Sequence, residues 1–260
     1  MKIVTLIENT TCREDLTPEH GLSLYIEANG KKILFDAGET GAFADNAEKL
    51  GIDLGQIDLA ILSHGHSDHS GGLLRFMKLN ATAPIWLRPE ARGSYHNASG
   101  NCISLDPELK KSPRLRLAEE GTQLGEGLTL FSCNHREKQV PLDAAGLTMC
   151  KMGICEPDNF LHEQYLLIEE EGKRVLISGC SHKGIRNIVH WFAPDVLIGG
   201  FHFMRVDPAD PKLSAAAQAL LSYDTVYYTG HCTGETQYAV MKKIMADKLQ
   251  SLSTGKEICL

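Results

Sequence analysis

Short apolar runs of strand length recur along the chain, separated by segments of helical spacing, and several runs end on a polar or glycine-containing cluster. The first pattern is a hairpin: residues 22–28 and 31–36 flank Asn29-Gly30, a dipeptide suited to the positive φ angles of a two-residue turn, and Asp36 stands at its end. From Thr40 the spacing turns helical, with Phe43, Ala47 and Leu50 on one face and Gly51 as the stop. The run 59–62 predicts a strand and 73–79 a helix, with Gly71 and Gly72 allowing the tight turn into it. Residues 84–87 read as another short strand.

Periodicity then weakens. Residues 88–125 are rich in Gly, Pro, Ser and charge, and 134–158 carry Cys150, Gly153, Cys155 and Pro157 without a clear period, so both are predicted to be insertions covering a site. Between them 128–133 is strand-like. Regularity returns at 164–169 and 174–178, which flank the turn Glu171-Gly172-Lys173. A helix at 184–192, a strand at 196–199, a helix at 214–222, a strand at 225–229 and a closing helix at 235–249 follow. Each half thus has strands, a motif at a strand end and helices, and helices covering two packed sheets is the economical solution. The predicted class is α/β (α+β), as one domain over residues 1–260.

Composition narrows the function. The 260 residues are 43% hydrophobic and 23% charged, with 24 glycines, as in a globular enzyme-sized protein. A formal charge of −7 argues against a nucleic-acid partner, and the one basic stretch, Lys110-Lys111-Ser112-Pro113-Arg114-Leu115-Arg116, reads as a solvated helix end and loop. No apolar run approaches the roughly 20 residues of a membrane helix. Residues 1–8 read as a first strand and not a signal peptide, so the expected location is cytoplasmic. The eight cysteines form no Cys-x-x-Cys pair and no regular framework, so most are expected to be reduced and structural. Oligomeric state is left open.

The chemistry concentrates after the strand at 59–62, where His64-Gly65-His66-Ser67-Asp68-His69 packs three histidines and an aspartate into six residues. Imidazole and carboxylate suit zinc, iron or manganese. If the chain leaves the strand extended, the two-residue period puts His64 and His66 on one face, able to share one ion. Asp68 and His69, after the chain turns, face a second position, and two ions roughly 3.5–4 Å apart form a hydrolytic clamp.

This His-x-His-x-Asp-His run resembles the signature of the metallo-β-lactamase superfamily. Together with 20–27, 33–38, Gly179-Cys180-Ser181-His182 and Gly230-His231-Cys232-Thr233-Gly234 it is similar to one branch, the 7,8-dihydropterin-6-yl-methyl-4-(β-D-ribofuranosyl)aminobenzene 5'-phosphate synthases, over about residues 1–240. The resemblance implies a four-layer αββα sandwich with its metal site at one edge, between the sheets. It also implies His231 as the final metal histidine, and Asp36 as a carboxylate that hydrogen-bonds a ligand histidine and fixes its tautomer. Cys180 stands where most of the superfamily has a bridging aspartate; a thiolate there favours zinc or ferrous iron over harder ions. The third ligand of the first ion is expected just before the strand near Gln164, at His162, with Asp158 within reach and His135 a weaker competitor. His182 and His202 are surplus to a minimal shell and are candidates for substrate binding or proton transfer, as is Asp68 for accepting a proton from the attacking water.

These readings point to a metal-dependent hydrolase of a small phosphate-bearing or ester substrate, with one or two divalent ions, zinc first, and a metal-bound hydroxide as nucleophile. The synthase-like transfer is the alternative, and a non-catalytic metal or redox sensor using Cys180 and Cys232 is a third. The expected partner is a small anionic molecule. Substrate-selecting residues are expected within 88–125 and 134–158, with Arg88, Tyr95 and His96 as candidates.

Overall fold

The computed structural model describes residues 1–260. In chain order its elements are β1 (Lys2–Ile7), β2 (Ser23–Ala28), β3 (Lys31–Phe35), α1 (Ala42–Lys49), β4 (Leu59–Ile61), α2 (Ser67–Ser70), α3 (Leu73–Leu79), β5 (Ile85–Leu87) and β6 (Ser94–His96). There follow α4 (Pro107–Lys110), β7 (Leu115–Leu117), β8 (Thr122–Gly125), β9 (Leu128–Phe131), β10 (Thr148–Lys151), β11 (Ile154–Pro157), β12 (Tyr165–Glu170) and β13 (Lys173–Ile177). The last are α5 (Ile185–Phe192), β14 (Val196–Ile198), α6 (Pro211–Leu221), β15 (Val226–Thr229), α7 (Glu235–Met245), β16 (Leu249–Ser251) and β17 (Glu257–Cys259).

Two seven-stranded sheets dominate, ordered β17-β1-β2-β3-β4-β5-β7 and β16-β15-β14-β13-β12-β9-β8. Period-two alternation sorts their side chains into layers. Ile33, Phe35, Leu59 and Ile61 of the first sheet meet Leu166, Ile168, Val175 and Ile177 of the second in a core between the sheets. The intervening Leu34 and Ala60 face the other way, against Phe43 of α1 and Phe76 of α3. Leu167 and Leu176 likewise face Ile188, Ala217 and Met241 of α5, α6 and α7. The result is the helix–sheet–sheet–helix sandwich expected above. Strands covered on both faces read as continuous apolar runs, which is why they were legible.

In each sheet, hairpin strands give way to parallel ones: β3, β4, β5 and β7 in the first, and β13 to β16 in the second. Parallel strands bring their carboxyl ends to one edge, where open α/β sheets place ligands. The loops after β3, β4, β13, β14 and β15 gather there.

Three expectations are corrected. Residues 88–125 are only partly a cover, because β7 and β8 are edge strands of the two main sheets and α4 packs Leu109 into the first core. The basic stretch there is partly structural: the Arg114 guanidinium donates to the carbonyls of Ala83 and Asn80. The cover itself is a separate three-stranded sheet, β11-β10-β6. Finally, Cys150 and Cys155 form a disulfide; a hairpin turn sets them directly opposite each other, a pairing that spacing alone did not suggest. β17, the antiparallel partner of β1, was also unread.

Candidate metal centre

The loop after β4 supplies both halves of the centre. His66 remains extended (φ −102°, ψ 149°) before the short helix α2 turns the chain, so His64 and His66 point one way while Asp68 and His69 point another. The turn is tight because Gly71 and Gly72 pack directly against the carbonyls of Glu39 and Ala37, where any Cβ would collide with backbone.

Around the histidine loop the donor atoms fall into two main groups, and His66 also belongs to a third with Asp158 and His162. In the first, His64, His66 and His182 converge, with His64 Nε2 and His182 Nε2 3.2 Å apart. In the second, Asp68, His69, Cys180 and His231 converge: His69 Nε2 lies 3.2 Å from Cys180 Sγ and 3.2 Å from His231 Nε2, and Asp68 Oδ2 lies 3.3 Å from His231 Nε2. The rings of His64 and His69 are 4.2 Å apart, so the groups adjoin.

Polar neighbours fix which nitrogen faces inward. Asp36, buried at the end of β3, accepts from His69 Nδ1 at 2.7 Å and from the Ser63 hydroxyl at 2.7 Å. Ser63 Oγ is then free to accept from His64 Nδ1 at 2.8 Å. Asn9 Oδ1 accepts from His231 Nδ1 at 3.0 Å. In His64, His69 and His231 Nδ1 thus donates outward and Nε2 is turned toward the centre. Ring nitrogens held 3.2 Å apart must share either a proton or a metal ion between them. His66 Nε2, moreover, is buried with no hydrogen-bond partner, a cost of about 1–3 kcal/mol that metal coordination removes. The residues therefore fit a divalent ion in either group.

Contributions from both sheets depend on unusual backbone. Asp36, Ser181, His202 and His231, each just past a strand end, have φ of 58°, 58°, 55° and 48°. Four non-glycine residues in the left-handed region at one edge are typical of geometry held for function. Glu163 braces the Cys180–Lys183 turn: its buried carboxylate accepts from the backbone N–H of His182 (2.6 Å) and Lys183 (3.0 Å) and from the Tyr165 hydroxyl (2.6 Å). Glu8 does the same for the backbone N–H of His231.

Electrostatics separates the groups. Burial, reinforced by the neighbouring imidazoles, pushes His64 and His182 well below the ordinary histidine value. His231 is depressed by burial to about 4, against the opposing pull of Asp68. His69 goes up, because Asp68 and Asp36 outweigh its burial. Burial would raise Asp68, but His69 and His231 hold it well below the carboxylate range. Burial pushes the Cys180 thiol up, with Cys232 adding to the effect.

Of the predicted residues, His64, His66, Asp68, His69, Cys180 and His231 come together, and Asp36 contacts His69 as expected. His162 does not join the first group. Its Nδ1 accepts from the Gly65 N–H at 2.9 Å and its Nε2 donates to Asp158 at 3.0 Å, so both nitrogens are engaged. The corner expected for it is taken by His182, brought in by the turn at Ser181. His202, its ring 4.3 Å from that of His182, borders the centre, and burial depresses it to about 4. His135 is exposed and in neither group. Sequence reasoning missed Ser63, Asn9, Glu163 and Glu8; their only signal was a polar residue at the margin of an apolar strand.

Residues 16–133 match the metallo-beta-lactamase superfamily. The chain carries a metallo-beta-lactamase superfamily domain. The chain is 29% identical, over 99% of its length and 96% of the relative's, to the 7,8-dihydropterin-6-methyl-4-(beta-D-ribofuranosyl)-aminobenzene-5'-phosphate synthase of Methanocaldococcus jannaschii. It is 28% identical to an uncharacterized protein of the same organism, over 89% of this chain and 90% of that one. Among solved structures, a metal-dependent hydrolase of the beta-lactamase superfamily superposes with a TM-score of 0.84 at 26% identity, covering 100% of this chain and 99% of the other. No helix of the chain is long and apolar enough to cross a membrane.

Proposed function

We propose that the protein is a metal-dependent hydrolase of a small, anionic phosphate ester or related ester. The observation that carries this reading is the convergence of two adjoining donor groups, with imidazole Nε2 atoms facing inward, at the wall of a cavity. His64, His66 and His182 would hold one divalent ion and Asp68, His69, Cys180 and His231 another, zinc first given the imidazole and thiol donors. A bound ion there supplies Lewis acidity, polarising the ester and lowering the pKa of water.

The chain's own residues do the rest. A cavity of about 200 Å³ over His66, Asp68 and Cys180 adjoins a larger one of about 350 Å³, and His182, His202 and Arg205 line both. Arg186 and Arg205 line the larger cavity and make no ion pair, leaving them available to an anionic substrate, while Phe201, Phe203 and Ile185 offer apolar wall. His202, neutral at pH 7, serves there as a hydrogen-bond partner or proton acceptor, not as an acid. Asp68, ionised and partly exposed, is placed to accept a proton at Oδ2. The similarity to a solved metal-dependent hydrolase supports the reading.

The near full-length similarity to a synthase favours a second reading, transfer between two substrates at the same centre. One experiment separates them. Purified protein loaded with zinc, iron or manganese is offered nitrophenyl phosphate mono- and diesters, and separately the pterin pyrophosphate with the aminobenzene ribosyl phosphate. Hydrolysis that a chelator abolishes and added metal restores supports the first reading. Coupled product without ester hydrolysis replaces it with the second, and chelator-insensitive turnover sinks both.

A further inference from the structure

We propose that the cover sheet carries a second, separate site for a soft divalent ion at His96, Cys150 and Cys155, open when the two cysteines are reduced. The argument begins with strand register. β10 pairs with β11 so that Cys150 lies directly opposite Cys155, and β10 pairs with β6 so that Cys150 lies opposite Ser94, two residues from His96. Directly paired residues and those two apart share a face, so all three donors project from one side of the sheet. His96 Nδ1 is 3.2 Å from Cys150 Sγ, and the three donor atoms lie within 4.8 Å of one another.

The opposite face belongs to the candidate centre. Tyr95, between Ser94 and His96, turns inward and packs its ring against the centre, its centroid 4.1 Å from that of His162 (tilted) and 5.7 Å from that of His66 (edge-on). The new cluster therefore faces away from the histidine-rich centre and shares no ligand with it. Two thiols and an imidazole form a soft donor set, the composition that selects zinc over magnesium or calcium, with water completing the coordination. His96 and Cys150 are half-buried and Cys155 is exposed, so an ion can reach them. The connecting turn is unconstrained by packing, with Met152 94% and Ile154 67% exposed, which lets the two sulfurs separate to a chelating distance.

The Cys150–Cys155 disulfide closes the site, since each sulfur is spent on the other. A dithiol reductant opens it: the protein S–S bond takes up two electrons and two protons, and the reductant becomes the disulfide. Binding the ion then releases the two thiol protons to solvent, because thiolate is the ligand.

The test is metal stoichiometry on the full-length protein, independent of turnover. Zinc per chain is measured after gel filtration for protein reduced with a phosphine and for protein oxidised with diamide, in the wild type, Cys155→Ser and His96→Ala. The reduced wild type is expected to retain about one equivalent more than the oxidised form, and both variants, when reduced, to fall to the oxidised value. Cobalt substitution should give a thiolate charge-transfer band in the reduced wild type that is weaker in Cys155→Ser. Equal zinc in both redox states of the wild type, or an extra equivalent that survives both substitutions, overturns the proposal. Because Cys155 is exposed, its substitution leaves the core intact, and His96→Ala provides an independent readout.

Discussion

One donor group is imidazole alone, and the other mixes imidazole with a carboxylate and a thiol. That difference sets what each can do with the same ion. Three neutral imidazoles, His64, His66 and His182, leave a divalent ion with its full charge. Asp68 and a deprotonated Cys180 would cancel that charge beside His69 and His231. The all-histidine group is thus the better electrophile for an anionic substrate, and the mixed group the better permanent anchor. Their supports differ as well. The mixed group is braced by two side chains from the first sheet's end of the chain, Asp36 and Asn9, whereas His66 Nε2 in the first group has no hydrogen-bond partner and lies 3.7 Å from Asp158 Oδ2.

The sharpest way to break the comparison is His66→Ala. It should remove the ion of the all-histidine group and lower kcat/KM by more than the roughly 100-fold ceiling expected of a supporting contact, while the mixed group keeps its metal. Loss of both ions together would show one coupled centre and not two. Next in size is Asp36→Asn. It leaves the shape but weakens the acceptor on His69 Nδ1, so affinity for the ion of the mixed group should fall by about 10–100-fold, read by competition with a chromophoric chelator. An equal loss at both groups would mean that the Ser63 link to His64 matters as much as the direct contact.

The smallest effect is pH-dependent. In the metal-free protein His231, His162 and His202 are depressed to about 4 and His64 and His182 also go down, while His69 alone goes up. Between the unfolded histidine value of about 6.5 and about 4, the unfolded chain therefore binds more protons than the folded one. Stability should fall as pH drops through that window, while the opposite shift of His69 adds stability that is lost as pH rises above about 6.5. A urea midpoint unchanged between pH 7 and pH 5 would contradict the buried, neutral imidazoles on which the first group rests.

The same contrast explains what the sequence disclosed. His64 to His69 lie within one loop, so local spacing revealed them, and their division between two groups follows from α2 beginning at Ser67. The third member of the first group was sought at His162, but it comes from His182, because the left-handed Ser181 redirects a turn that spacing cannot orient. The sandwich was legible where strands are buried on both faces. The cover sheet is not: β6, β10 and β11 are short, and only Tyr95 among them is buried, which is too little burial to leave an apolar period. Asn9 and Glu8 escaped notice for another reason, since their partner is His231, 222 and 223 residues away.

That last pairing has a consequence in time. During synthesis at about 5–20 residues per second, the histidine loop emerges on the order of 10 s before residue 231. Throughout that interval Asp68 and His69 lack His231, and for most of it Cys180 as well, while Glu8 and Asn9 wait for the segment they brace. A tightly closed mixed group is therefore a record of finished synthesis. A chain released before residue 231 would still show metal the histidine loop, but it could not close the group around the ion.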